Sequence, residues 1–502
     1  MKRETYRTAR PRAGRLALAL TLALAGSPAW AQSTTGNISG NVANGAGKTV
    51  LIENNSGFSR EVAVDERGRY ALGNLPLGTY KVTVKQGGTP VETRENVAIT
   101  VGASTVVSFA GEGDLQTLSI VSVTGSRLNP IDVSTVDART VVTSEQLLQL
   151  PLARNAEAIA LLAPGVVSNS GGFDNGPLGG SLPSFGGSAA SENAYYLNGF
   201  NTTTASNSLG GLTLPYGAID QQEIFTGGYG AQYGRSNGGV INQVGKRGDN
   251  EWHFGAAVIW EPDGLKAKQK NLYWRPDSRD STINNTAYNY ARAANGLYQP
   301  LSENESSTTT YSAYAGGPIF KDRLFFFVAA EQADSDGVRV LSNRDSTNGA
   351  NGGWTDYSYT QKRWYAKLDW YITDNHLLEV TGASDEYETG GQIYRYNYLA
   401  RERGTYYTDE SRQEAGPTLY LGKYTGYFGD NVTVTALYGE MSTPDQVTPF
   451  GYDPANGPVI TDATLQTPAY NGGAPILGTQ KVTSTSDPDR EYKKTNTRLN
   501  LE

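Results

Sequence analysis

Apolar and polar positions alternate with a period of two through most of the chain, and a helical spacing appears in only one short region. Residues 33–110 read as a run of short strands. Gly36-Asn-Ile-Ser-Gly-Asn-Val42 alternates, and Val50-Leu-Ile52 continues the pattern. A turn at Asp65 to Gly68 precedes Tyr70 and Leu72 on one face; a second at Pro76-Leu-Gly78 precedes Tyr80, Val82 and Val84. Val97–Val101 and Val106–Phe109 complete about six strands, the size of a small β-sandwich. Helical spacing follows in Thr143-Ser-Glu-Gln-Leu-Leu-Gln-Leu-Pro151, with Ser144 as its cap. It recurs in Asn155-Ala-Glu-Ala-Ile-Ala-Leu-Leu-Ala-Pro-Gly165, capped at Asn155 and stopped by Pro164-Gly165. A glycine-rich loop runs from Gly171 to Gly187.

From residue 251 the period of two is clearest. Trp252, Phe254, Ala256, Val258 and Trp260 alternate with Glu251, His253, Gly255, Ala257 and Glu261, with Ile259 the one break. Trp364, Ala366, Leu368 and Trp370 alternate with Arg363, Tyr365, Lys367 and Asp369. An apolar stripe with an aromatic ring at each end is what two membrane interfaces select. Tight turns are predicted between Ile319 and Arg323, at Thr373-Asp-Asn375 and at Gly429-Asp-Asn431, and long polar loops over 262–307, 334–361, 387–415 and 443–490. Alternation of short turns with long loops marks outer-membrane barrels. About eight strands are expected, the last in Thr495-Asn-Thr-Arg-Leu-Asn-Leu-Glu502.

Hydropathy is consistent with this. Mean hydropathy is −0.45, and no apolar stretch beyond the N-terminus is long enough for a membrane helix. Transmembrane strands need apolar residues only at alternate positions, so they leave the mean low. The first 31 residues have a basic zone ending at Arg15, the apolar core Leu16–Ala25, and small residues at Ala29 and Ala31, an export signal cleaved before Gln32. That segment carries a net +5, so the remainder carries −13 against −8 for the whole chain. Such acidity argues against a nucleic-acid partner, which needs a basic face. The absence of cysteine excludes disulfide and thiolate chemistry.

Catalytic chemistry has little to draw on. The only histidines are His253 and His376. His376-Leu-Leu-Glu379 mimics part of a zinc pair, but on a strand a spacing of three puts the two side chains on opposite faces. Gly228-Tyr-Gly-Ala-Gln-Tyr-Gly234 has the third glycine of a nucleotide-binding loop one residue late, and a strand pattern follows it. No catalytic residue, metal site or cofactor is expected, and the chain is read as no enzyme.

Four groups of residues carry resemblances. Gly68-Arg-Tyr70, Leu75-Pro-Leu-Gly78, Tyr80 and Val82 resemble the carboxypeptidase-regulatory-like domain, a non-catalytic module. Leu118-Ser-Ile-Val-Ser-Val-Thr-Gly-Ser-Arg127 resembles the TonB box of TonB-dependent receptors; Ile120, Val121, Ser122, Val123 and Thr124 are its core and the implied TonB-binding residues. A segment of this kind can add as an edge strand to a partner. Asn193–Phe200, Ala218–Arg235 and Ser236–Gly248 resemble, in order, the plug domain of the same receptors. The matching positions are Tyr196, Asn198 (where Asp is usual) and Gly199, then Glu223, then Gly238, Gly239 and Asn242; Gly245 stands where Thr is usual. Ala315–Phe327, with Glu331, resembles the Oar-like branch of the family.

The resemblance implies a mostly β chain: a small β-sandwich, an α+β plug and the N-terminal part of a transmembrane antiparallel β-barrel, about eight of the about 22 strands of a plugged transporter. The expected divisions are 1–31 signal peptide, 33–110 sandwich, 111–129 linker with the TonB-box-like segment, 130–250 plug and 251–502 partial barrel. About eight strands cannot enclose such a plug, so a fragment or a truncated product is expected. The implied function is active import through the Gram-negative outer membrane, with the sandwich in the periplasm. The implied partners are the TonB periplasmic domain, outer-membrane lipid and an unknown extracellular ligand. The alternative is a surface adhesin or protein-binding receptor that uses the barrel as a scaffold.

Overall fold

A computed structural model describes residues 34–109, 138–150, 155–168, 182–215, 217–230, 233–234, 236–273, 297–342, 352–429, 432–448, 459–460, 480–481 and 490–501. The TonB-box-like residues Ile120 to Thr124 lie outside these ranges.

Alternation in the first segment resolves into two facing sheets. One has three strands in the order Arg69–Leu75, Gly36–Asn41, Ser104–Val106; the other has four, in the order Ser59–Ala63, Lys48–Asn54, Gly78–Gln86, Thr89–Ile99. Ile38, Val50, Ile52, Tyr80 and Val82 fill the space between them. The count is seven strands rather than about six. Ser59–Ala63 escapes a pattern reading because one of its two inward residues is Arg60. The last strand also differs: it is Ser104–Val106, Val106 faces outward, and Val107 and Phe109 beyond it are buried.

A five-stranded sheet follows, in the order Phe200–Asn201, Ala194–Leu197, Val240–Gly245, Ile219–Gly227, Ala138–Thr143. Two short helices lean on it. Ser144–Gln149 is capped by Thr143, not Ser144, and the Gln146 side chain accepts from the Thr143 N–H at 3.0 Å. Ala156–Ala160 is capped at Asn155, whose Oδ1 accepts from the Ala158 N–H at 2.7 Å. It ends at Leu161, before Pro164-Gly165. The Asn198-Gly199 turn joins the first two strands with positive φ at both residues (47° and 86°), the requirement of a type I′ hairpin that Asn-Gly meets without strain.

The third unit is a ten-stranded sheet with every pairing antiparallel. Eight long strands form its wall: His253–Glu261, Glu305–Phe320, Leu324–Val340, Gly353–Thr373, His376–Asn397, Thr418–Phe428, Val432–Thr448 and Glu491–Leu501. His253–Glu261 is one edge and Glu491–Leu501 the other. The alternation places Trp252, Phe254, Val258 and Trp260 on the outer face, each more than 60% exposed, while Tyr365, Lys367 and Asp369 point inward and are buried.

The tight turns at Ile319–Arg323 and Thr373–Asn375 fall where the pattern puts them, while Asp430 and Asn431 of the third lie outside the described residues; two of the expected loops are largely strand. Residues 334–340 pair with 354–360, and 353–361 with 387–395, as direct continuations of the wall strands. Two further strands, Glu402–Asp409 and Arg412–Ala415, lie within the other expected loop. Most positions of these ladders are polar and partly exposed, so the alternation that betrays the lower strand fades, although Val340, Tyr396 and Tyr398 form a small buried cluster there.

Candidate functional site

The five-stranded sheet lies against the inner face of the wall. Leu197, Phe200, Ile224 and Ile241 share one buried cluster with Phe327, Tyr365, Leu419, Leu421, Leu437 and Met441 from the wall strands. Of the named motif residues, Asn198 and Gly199 lie at this seam. Asn198 is its pin. Its Nδ2 donates to the Tyr365 and Thr381 hydroxyls, 3.2 Å each, and its Oδ1 accepts from the Gly245 N–H at 3.0 Å. An amide supplies both the donors and the acceptor these three partners need; a carboxylate in its place could only accept. The neighbouring departure has a steric reason. A Cβ on Gly245 would stand 2.3 Å from the Tyr365 hydroxyl oxygen, which itself donates to the Lys246 carbonyl at 3.2 Å. Asn198→Ala leaves Tyr365 and Thr381 without this partner and orphans the Gly245 N–H. The expected cost is about 1–2 kcal/mol, read as a lower Tm, with Asn198→Asp intermediate.

The other motif residues stabilise the sheet from within. Glu223 is fully buried, 3.6 Å from the Arg139 guanidinium, and accepts from the Asn242 Nδ2 at 2.7 Å. Tyr196 packs edge-on against Tyr233 with ring centroids 5.4 Å apart. At Gly238 and Gly239 the backbone runs too close for a side chain: a Cβ would fall 2.5 Å from the Asn193 Oδ1 at the first and 2.2 Å from the Phe185 ring at the second.

Pattern reading misses the strongest electrostatic feature. Arg247, just past the last sheet strand, reaches Glu379 at 2.6 Å and Asp369 at 3.5 Å, both on the wall. Glu379 also accepts from Lys367 at 2.9 Å and Lys423 at 3.1 Å, and Lys367 stands 3.8 Å from Asp369. All five side chains are buried or nearly so. Burial opposes the charged guanidinium of Arg247, but Asp369 and Glu379 outweigh it and hold its pKa above the ordinary value. A detectable signal existed: charged residues on the inward face of a strand whose other face is an apolar stripe must find partners inside.

A second cluster lies nearer the long-loop end. Arg363 bridges Glu331 (2.9 Å) and Asp385 (2.8 Å); Asp385 also accepts from the Gln361 amide at 2.6 Å and from the Thr213 N–H at 3.1 Å, tying a loop of the inner unit to the wall. Above it opens a cavity of about 870 Å³, within the range of small-ligand sites. Glu157 lines it, half-buried, and burial pushes its carboxyl up to about 7.

The histidines take structural roles. His376 Nδ1 shares a hydrogen bond with the Tyr424 hydroxyl at 2.7 Å, and His253 lies 3.1 Å from Asp249. Among the described residues no three metal-ligating side chains cluster.

Comparison with known proteins agrees with this arrangement. The TonB-dependent receptor plug domain model matches residues 132–241, and the carboxypeptidase regulatory-like domain model matches 37–111. The TonB-dependent transporter Oar of Myxococcus xanthus is 26% identical over 469 residues, covering 83% of this chain. The chain carries a TonB-dependent receptor plug domain. It spans 40% of the length of Oar. Among solved structures, the outer membrane transporter YddB of Escherichia coli is 16% identical with a TM-score of 0.41, over 65% of this chain and 41% of that one. The siderophore receptor PirA of Acinetobacter baumannii is 15% identical with a TM-score of 0.40, over 73% and 44%. The matched plug residues take in both short helices and nearly all of the inner five-stranded sheet.

Proposed function

We propose that the receptor imports a ligand across the Gram-negative outer membrane by TonB-coupled displacement of its plug. The carrying observation is the plug seated against the wall and held there by the Arg247, Glu379 and Asp369 cluster. Buried ion pairs bring little net stability but are costly to break singly, which suits a seal that opens only under applied force. On this reading residues 1–31 direct export, 33–110 form a periplasmic accessory domain, 111–129 the tether, 130–250 the plug and 251–502 the lipid-facing wall. The short turns face the periplasm, and the cavity faces outward to receive ligand. TonB adds as a strand to Ile120, Val121, Ser122, Val123 and Thr124. No step requires covalent chemistry.

The cavity narrows the ligand's chemistry. Glu157, Glu261, Glu331, Asp385 and Asp445 line it against Arg363 and Arg490. Both guanidinium groups are already engaged, Arg363 as described and Arg490 by Asp445 at 2.8 Å. A neutral or cationic ligand rich in hydroxyl or amine donors fits this lining better than an anionic chelate. The carboxyl of Glu157 adds a pH dependence. Because its folded pKa lies above the unfolded value, its contribution to stability is full in acid and is lost as pH rises through about 7. The Tm difference between the receptor and its Glu157→Gln variant should therefore shift between about pH 5 and pH 8.

The transport reading is tested by disulfide trapping of single cysteines at 120–124 against cysteine-bearing TonB, in the protein as its cells make it. The chain has no cysteine of its own, so the background is clean. Cross-links confined to this window support coupling. Their absence throughout it, in receptor recovered from the outer membrane, removes the TonB mechanism and favours the adhesin.

A further inference from the structure

The N-terminal sandwich does not hang free. Its loop apex at Val101 enters the underside of the plug, where Val101 is fully buried with Leu77, Val141 and Val244, and its N–H donates to the Gln221 Oε1 at 2.9 Å. The next residue, Gly102, has φ +64°, and a Cβ there would stand 2.2 Å from the Arg139 guanidinium: the apex reaches the same plug charge pair that holds Glu223. On its other side the sandwich grips the short-turn end of the wall. Arg60 stacks 4.3 Å over the Tyr427 ring and donates to the Gly429 carbonyl at 2.6 Å; the Tyr427 hydroxyl donates back to the Asn74 carbonyl at 2.7 Å. Phe58 is buried against Tyr427, and the sandwich core continues into Phe325, Tyr371 and Leu377 of the wall.

A merely tethered domain would keep such residues covered by its own fold. Here Val101 and Phe58 depend on the plug and the wall for their burial, so undocking would return apolar surface to water. The two attachments also land on two different bodies. The chain between them, residues 110–137, connects the last sandwich residues to Ala138–Thr143, the edge strand of the plug sheet.

We propose that the sandwich is a bracket that fastens the plug to the wall from the short-turn side, so that plug release requires the sandwich to undock. The bracket does not depend on what pulls the plug, so its test needs no ligand and no TonB.

Two readouts are combined in the native outer membrane: maleimide labelling of Leu77→Cys, compared with the exposed control Val91→Cys, and entry of vancomycin, which the intact outer membrane excludes. With the bracket docked, Leu77→Cys labels at least about tenfold more slowly than Val91→Cys. Adding Val101→Asp, an acid in the apolar contact, brings Leu77→Cys to the control rate and raises vancomycin sensitivity several-fold, while Val101→Ile changes neither. Arg60→Ala attacks only the wall contact and must raise sensitivity in the same direction; it decides the matter where Val101→Asp fails to assemble. Equal labelling of Leu77→Cys and Val91→Cys in the otherwise native receptor overturns docking. Exposure of Leu77→Cys with unchanged vancomycin entry overturns the bracket.

Discussion

Replacing Glu379 by glutamine should lower the stability of the receptor by about 3–5 kcal/mol, the largest effect expected of any single polar substitution in the wall. Glu379 holds Arg247, Lys367 and Lys423 together. Without its charge, three buried cations face Asp369 alone, and two of them, Arg247 and Lys367, lie 3.5 and 3.8 Å from it. Neutralising a buried partner leaves uncompensated charge in a largely buried site, and this cost exceeds what the intact pair contributes. Because the cluster joins plug to wall, the loss should appear twice: as a lower Tm and as an outer membrane more permeable to large solutes. The double variant Glu379→Gln with Lys423→Met removes one stranded cation with its partner and should recover part of both.

The second large effect is expected at Asp385. Its carboxylate serves Arg363, Gln361 and the Thr213 N–H at once, and Asp385→Ala strips all three. Arg363 keeps Glu331 at 2.9 Å, so the cost should be somewhat smaller, about 3 kcal/mol. The consequence differs in place. Thr213 belongs to the plug loop beneath the cavity, so hydrogen exchange should accelerate around 211–214 while the Arg247 seam stays protected. Asp385→Asn retains an acceptor for Thr213 and should separate the hydrogen bond from the charge. Equal exchange across both regions in Asp385→Ala would contradict a local role.

Much of this architecture is legible in the order of residues, for physical reasons that differ by element. The stripe Trp252 to Trp260 is readable because one face of that strand is apolar and the other is not. The hairpin at Asn198-Gly199 is readable because few residue pairs accept two positive φ angles. The plug glycines are readable by resemblance, and their geometry supplies the reason: Gly239 lies under the Phe185 ring.

What escapes reading is long-range. Lys367, Asp369, Glu379 and Lys423 each look like an ordinary polar position in an alternating strand; only the register of neighbouring strands and the arrival of Arg247, more than a hundred residues earlier, bring them into one cluster. Strand extensions at 334–340 and 387–397 are hard to read because most of their residues are polar and partly exposed, with only Val340 and Tyr396 fully buried. The docked face of the sandwich is hidden for a similar reason: Val101 reads as a strand residue of its own domain, whereas its burial comes from the plug.

On the proposed function the plug is closed at rest and opens when energy is applied. This is tested most directly by the reactivity of one buried plug residue. Ala194 is small and 4% exposed, so Ala194→Cys adds a thiol to a cysteine-free chain with little disturbance. In living cells its labelling by a small thiol reagent should be slow, should accelerate during uptake in the presence of TonB, and should return to the resting rate when a protonophore removes the energy source. Labelling at one unchanged rate across energised, de-energised and TonB-deficient cells would contradict the account.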